Sequence, residues 1–468
     1  MELDKDWQKQ QATLEYYKKN NPELVKNKIK KTEAEIFEEI GIFNIPENRD
    51  SGYIRLFPND FIVEEKNKNC RVAKVNSINS SINSDTADGS TLFADLIKVG
   101  IPTSLAIERV AQAFNIKPAR IGYAGLKDAD ALTAQSISIP EFKMPISEIE
   151  KVKIPNIYLN NFFYSKKPLL PGDLAANIFT ITVRTQKPIN EGIFRNKINL
   201  INNYGVLNYF QSQRFRTLRL ISHKLGKLIF QGKYEFAIKY FLFKTSEEDI
   251  DLISNIRKEA EKNYPDFDRL TSLYSEMPYT FPFELRIINY LRNYPEDYLG
   301  ALEQIKEQTQ LWIYAYSSLL FNKHLSEYSM KNGVVDEKFP ILLSDDPNDI
   351  KIYNKYLVED ETTDFLKHLR PFRFIQRKKR MIEGRIFPEN LNYRSFGGGV
   401  VLNFSLNKGS YATTLLANLF EIFESLPIPE WVDIKQIDAK AILGQGDIKN
   451  IKEILKEYFY SKMDNQNP

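Results

Sequence analysis

Hydrophobic and polar positions change rhythm twice along this chain. Alternation is clearest in NIFTITVR, residues 177–184, where Phe179, Ile181 and Val183 share one face and Ile178, Thr180 and Thr182 the other. A period of two predicts a strand. Asn177 falls on the Phe179 face, and a buried amide there needs partners. YIRLFPNDFIVEE (53–65) reads as strand, turn and strand, and LTAQSISI (132–139) as another strand. Between them, TSLAIERVAQAFNI (103–116) offers Thr103 or Ser104 as a cap, with Ala106, Val110, Ala113 and Phe114 at helical spacing. From about Gly205 to Asn392 the pattern becomes helical, as in 245–264 and 309–328, and a strand-like pattern returns over 399–420.

Strand-rich, helix-rich, then strand-rich again predicts an α+β chain of mixed character, with a helical domain inserted into a sheet domain. The expected division is 43–204 with 393–468 as one discontinuous domain and 205–392 as the insertion. Residues 1–42, polar and lysine-rich, read as a helical N-terminal extension. NSINSSINSDTADGS (76–90) reads as a mobile, low-complexity loop. No repeat period is evident.

Composition narrows the chemistry. A 43% hydrophobic and 27% charged make-up is that of a soluble globular protein, and 468 residues allow two or three cores. No apolar run is long enough to span a membrane, and the charged N-terminus lacks a signal-peptide core. One cysteine, Cys70, excludes an internal disulfide and points to a reducing cytosol. Only three histidines, His223, His324 and His368, are present and scattered, so no metal site is expected.

The net charge of +3 says little, but its distribution says more. LRPFRFIQRKKR (369–380) sets Arg370, Arg373, Arg377, Lys378, Lys379 and Arg380 among Phe372 and Phe374. QRFRTLRLISHK (213–224) sets Arg214, Arg216 and Arg219 around Phe215. Cations attract phosphates and aromatic rings stack bases, so interleaving suits RNA. A solvated basic face with inward phenylalanines is the competing reading.

GYAGLKDADALTAQ (122–135) concentrates glycines before Lys127 and Asp128. Glycine allows close backbone approach or a positive φ. The stretch resembles the signature G-x-A-G-x-K-D-x-x-A-x-T-x-Q of the TruD family of RNA pseudouridine synthases, and four further elements resemble the same family in order. They are NDFIVEE (59–65), with Phe61, Val63 and Glu65; PGDLAANIFTITVR (171–184), with Asn177, Phe179 and Arg184; LNYFQSQRF (207–215); and LNKGSYATTLL (406–416). The chain departs from the pattern at Gln211 and Arg216, where glycine is usual, and at Ala417 in place of arginine. These changes lie away from the Asp128 element and bear on RNA selectivity.

The resemblance implies a pseudouridine-synthase core on a mixed, largely antiparallel sheet, and a cofactor-free isomerase acting on a flipped-out uridine of tRNA. Uridine 13 is the leading target and uridine 35 of some precursor tRNAs a second. Asp128 is the implied catalytic residue, as nucleophile at C1′ or C6 or as base at C2′. Lys127, Asn177, Phe179, Glu65 and Arg184 support it, with Phe179 expected to stack on the base. Neighbours in a strand face opposite ways, so the cation beside Asp128 could be Arg184 or another rather than Lys127. Arg214, Arg216, Arg219, Arg373, Arg377, Lys378, Lys379 and Arg380 are the expected RNA contacts. The isomerisation has no net redox change and needs no cofactor or metal. A cytoplasmic monomer is expected; an RNA chaperone of the same fold without turnover is the alternative.

Overall fold

The computed structural model describes residues 2–462 apart from 27–30, 77–88, 143, 145, 150, 216–218, 334 and 425. Most of the loop expected over 76–90 and the cation Arg216 therefore lie outside the described residues. The chain divides into two compact units, 46–206 with 386–468, and 1–45 with 207–385. Among the described residues no helix is long and apolar enough to cross a membrane.

The first unit is built on a ten-stranded mixed sheet. Its strands are β1 (Asp50–Tyr53), β2 (Phe61–Asn67), β3 (Thr91–Val99), β4 (Gly122–Tyr123), β5 (Leu132–Pro140), β6 (Ile157–Ser165), β7 (Leu174–Thr185), β8 (Glu389–Phe396), β9 (Gly399–Asn407) and β10 (Phe420–Phe423). The main order is β8-β9-β7-β2-β5-β3-β6. Only β1 with β10 and β2 with β5 run parallel; the other pairs are antiparallel. The alternation read at 177–184 belongs to a strand of 12 residues, because both neighbours β9 and β2 pair along it.

The period-two face of β7 carries Phe179, Ile181 and Val183 into a core with Phe61, Val63, Leu402 and Phe404, closed by Phe194 and Ile198 of the helix Glu191–Tyr204. The opposite face packs Ile62, Ile97, Leu132 and Val401 against Ile448, Ile451 and Leu455 near the C-terminus. The strand-like reading of 399–420 holds only to Asn407; Ala412–Leu419 is a helix that buries Leu415, Leu416 and Leu419. Its alanines and leucines favour that state.

The second unit is helical. Its longest helix, Lys306–Asn332, buries Trp312, Tyr316 and Phe321. It lies against the helix Ser222–Phe230, where a side chain on Gly226 would strike the Trp312 carbonyl. The N-terminal segment packs into this unit. Asn322 Nδ2 donates to the Ile40 carbonyl at 2.9 Å, Ser326 Oγ to that of Gly41 at 2.9 Å, and Gln10 Oε1 accepts from Thr280 N–H at 2.8 Å.

Candidate active site

Between β4 and β5 the chain runs irregularly, and three buried side chains tie it down. Gln135 of β5 donates to the Gly125 carbonyl at 3.0 Å. Thr103, at the start of the helix Thr103–Ala113, accepts the Lys127 N–H at 2.9 Å and donates to Gln135 Oε1 at 3.1 Å. Lys98, fully buried on β3, donates to the carbonyls of Asp128 at 2.5 Å and Ile101 at 2.8 Å. Burial brings its ammonium down to about 8, with the Asp128 charge opposing that shift. Gly122 is required by space rather than dihedral freedom, since a Cβ there would meet the Leu169 carbonyl and the Ser138 hydroxyl. Neither Gly122 nor Gly125 has a positive φ.

The segment turns the side chains of Lys127 and Asp128 to different partners. The Lys127 ammonium pairs with Glu65 on β2, both buried. Glu65 Oε1 also accepts from Ser136 N–H at 3.2 Å. Asp128 remains about a third exposed, and its Oδ1 accepts from Arg55 at 2.9 Å. The other arm of that guanidinium holds Glu424 at 2.6 Å. Its plane lies 3.9 Å from the centre of the Phe61 ring. Arg55 is thus fixed by two carboxylates and a ring, on a backbone with φ of 58°, a left-handed conformation uncommon outside glycine and asparagine.

Asn177 sits opposite Glu65 in the β2–β7 register. Its Oδ1 is buried without a hydrogen-bond partner among the described residues. A buried acceptor left without a donor carries a desolvation penalty, so this atom is one a ligand could satisfy.

Several expected roles change. Arg184 does not reach Asp128: it is buried on Asp60 at 3.0 Å and on the carbonyls of Asp433 and Lys435 at 2.6 and 2.9 Å. Burial pushes the Asp60 carboxyl up, with Arg184 opposing. Phe179, expected beneath the base, is a core ring with 5% exposure, stacked on Phe404 at 5.4 Å and edge-on to Phe61 at 6.1 Å. Alternation puts an aromatic on a face but cannot say whether that face is open.

The basic residues divide as well. Arg219 is committed inward, donating to the carbonyls of Phe241 and Lys244 beside Glu284, and burial with the neighbouring Arg257 charge brings it down to about 10. Lys379 is held by Asp346 at 2.8 Å and Asp349 at 2.9 Å. Arg373, Arg377, Lys378 and Arg380 are exposed. Arg214 lies over the Phe210 ring at 5.2 Å.

Arg55, Lys98, Thr103, Gln135 and Glu424 were not singled out from the sequence as site residues. For two of them a signal exists, a single cation interrupting an apolar run, as in YIRLF (53–57) and ADLIKVG (94–100). A charge buried in a strand needs a partner.

Residues 42–340 match the family model described as tRNA pseudouridine synthase D. A relative from Methanocaldococcus jannaschii, named "Probable tRNA pseudouridine synthase D 2", is 29% identical over 409 residues, covering 78% of this chain and 91% of that protein. The "tRNA pseudouridine synthase D" of Aquifex aeolicus is 28% identical over 245 residues, 52% of this chain and 61% of that one. A crystal structure of a "Putative tRNA pseudouridine synthase D (TruD)" from Methanosarcina mazei superposes with a TM-score of 0.62, at 24% identity, over 83% of this chain and 98% of that one. This last likeness bears on the fold, and agrees with the mixed sheet and the many helices found here. The chain belongs to the TruD family and is a tRNA pseudouridine synthase, an isomerase that forms pseudouridine in tRNA.

Proposed function

We propose that the enzyme acts on uridine 13 of tRNA, and on uridine 35 of some precursor tRNAs, with Asp128 as its catalytic residue. The choice of uridine follows the resemblance of the five motifs. The observation that carries the choice of residue is the state of the Asp128 carboxylate. Oδ1 is held by Arg55, the segment is tied at Gly125, Lys127 and Asp128, and Oδ2 has no partner among the described residues.

Oδ2 is then the reacting atom, attacking C1′ or C6 or removing the C2′ proton. Each route has one outcome. The N1–C1′ bond breaks, the base turns, C5 bonds to C1′, the C5 proton leaves and N1 ends protonated. Asn177 Oδ1 accepts from the uracil N3–H. Lys127 and Glu65 position the segment, and Phe179 backs Phe61 under Arg55. Arg214, Arg373, Arg377, Lys378 and Arg380 meet phosphates, which supply most of the affinity. The enzyme works in the cytosol as a monomer, without metal or cofactor.

Pseudouridine mapping on bulk tRNA treated with wild type and with Asp128→Asn tests this reading. Product at uridine 13 from wild type alone is expected. An Asp128→Asn enzyme with near wild-type yield would remove Asp128 from catalysis. Loss of activity on chelator dialysis, restored by a divalent ion with tRNA folding controlled, would remove the metal-free claim. Wild type that binds tRNA but makes no product would favour the chaperone.

A further inference from the structure

The two basic stretches, about 160 residues apart in sequence, meet in one cavity of about 220 Å³ in the helical unit. Its wall includes Phe210, Arg214, Tyr314, Lys378, Lys379 and Arg380, and no carboxylate is among the described residues that line it. Lys379 is occupied by Asp346 and Asp349, so the charge directed at a ligand comes from the exposed Lys378 and Arg380. Tyr314, on the helix Lys306–Asn332, is half-buried and presents a ring beside these cations.

Size and charge together select an occupant. Pockets for drug-sized ligands run from about 300 to 1,000 Å³, and this one falls below that range. A base-paired segment does not fit, while a phosphate with part of one nucleoside does. Two directed cations call for an anion, and a ring beside them calls for a planar partner. Two other cavities among the described residues of this unit, near 680 and 570 Å³, are larger and include carboxylates in their walls.

We infer that this cavity is a second nucleotide site, taking one unstacked nucleotide of the tRNA, with its phosphate on Lys378 and Arg380 and its base against Tyr314. The inference rests on the reading of the chain as a tRNA enzyme. The site serves to hold substrate and takes no part in the isomerisation.

Binding of a tRNA transcript to the full chain, titrated against salt, tests it. A Lys378→Ala/Arg380→Ala variant should bind at least tenfold more weakly near 0.1 M salt, with the log–log salt slope reduced by roughly two. Tyr314→Leu should weaken binding about tenfold with the slope unchanged, and Tyr314→Phe should restore it, because stacking does not need the hydroxyl. Wild-type affinity in Tyr314→Leu would reduce the cavity to a featureless basic patch and overturn the inference. Wild-type affinity and slope in the double variant would overturn it too, and would point to an acidic protein partner there instead. Absence of product from wild type would count against the function and not against this site, since binding is read separately.

Discussion

The two units treat charge in opposite ways. In the sheet unit, ions are drawn into the interior and paired: Arg184 with Asp60, Lys127 with Glu65, Lys440 with Glu64 at 2.7 Å, and Arg71 with Asp95 through two contacts of 2.8 Å. In the helical unit the large buried groups are mostly neutral, among them Trp312, Tyr274, Tyr316 and Tyr353, and the cations of 373–380 stay outside. Arg257, which meets Glu284 at 3.1 Å, and the buried Asp349, which meets Lys379 at 2.9 Å, break that rule. Buried pairs seldom raise stability over apolar packing, yet breaking one is expensive. Such pairs are understandable where a carboxylate must be held in a fixed place, and the Lys127–Glu65 pair adjoins Asp128. An exposed basic surface suits a partner that arrives as a polyanion.

This contrast can be broken most severely at Asp128. Asp128→Asn keeps the shape and one acceptor for Arg55, but lacks a nucleophile or base. Single-turnover yield should fall by at least roughly a thousandfold, with tRNA affinity and melting temperature little changed. Turnover surviving in the amide would mean that the charge pattern of the sheet unit does not serve chemistry.

Next in size is the cost of breaking a buried pair. Arg184→Met leaves Asp60 alone in the interior and should lower stability by about 3–5 kcal/mol, while the folded fraction keeps its turnover. Lys262→Ala, its counterpart on the helical unit, removes an exposed lysine paired with Glu259 and should change stability by no more than about 1 kcal/mol. Denaturant melts of the two proteins give the comparison. Equal losses would show that exposure does not separate the units.

Lys98→Met tests the tie on the Asp128 carbonyl. The thioether nearly fills the same space without donating, so the segment is free to shift. A misplacement near 1 Å lowers single-turnover rate by about a hundredfold. Unchanged rate in a folded Lys98→Met protein would leave Lys98 with a packing role only.

The smallest difference is one of acid response. In the helical unit burial brings His223 and His324 down to about 4 from the usual 6.5. Their folded forms take up protons later than the unfolded chain, so the stability they give is present above about pH 6.5 and is lost as pH falls towards 4. Asp60 and Asp95 in the sheet unit are pushed up by burial, so the folded state takes up their protons earlier and acid acts there in the opposite sense. Hydrogen exchange at pH 7 and pH 5 should show 222–230 and 316–328 losing protection before 60–65 and 177–184. The reverse order would refute the assignment.

Legibility from sequence followed the same divide. The strand at 177–184, the helix at 103–113 and the Asp128 element were visible because periodicity and a fixed motif are local. Arg55 was not, because a cation in YIRLF shows that a partner is needed without naming Asp128 and Glu424. The sequence leaves the cation beside Asp128 open between Arg184 and another for that reason; it is Arg55, and Arg184 serves Asp60. Phe179 was misassigned because a strand face with Phe404 packed on it has the same alternation as an open one. Arg219 and Lys379 were counted as free cations because a tally of charge does not see carbonyls and carboxylates folded against it.

The three ties on Gly125–Asp128 bear on how fast the enzyme can let go of its product. Fixing one residue's backbone takes about 1–2 kcal/mol in lost freedom. For these four residues that entropy is surrendered when the chain folds, before any tRNA arrives. Docking therefore does not have to supply it, and affinity need not be raised to hold the segment in shape. A site preformed in this way can bind its RNA only moderately, and the modified tRNA can leave without the segment having to disorder.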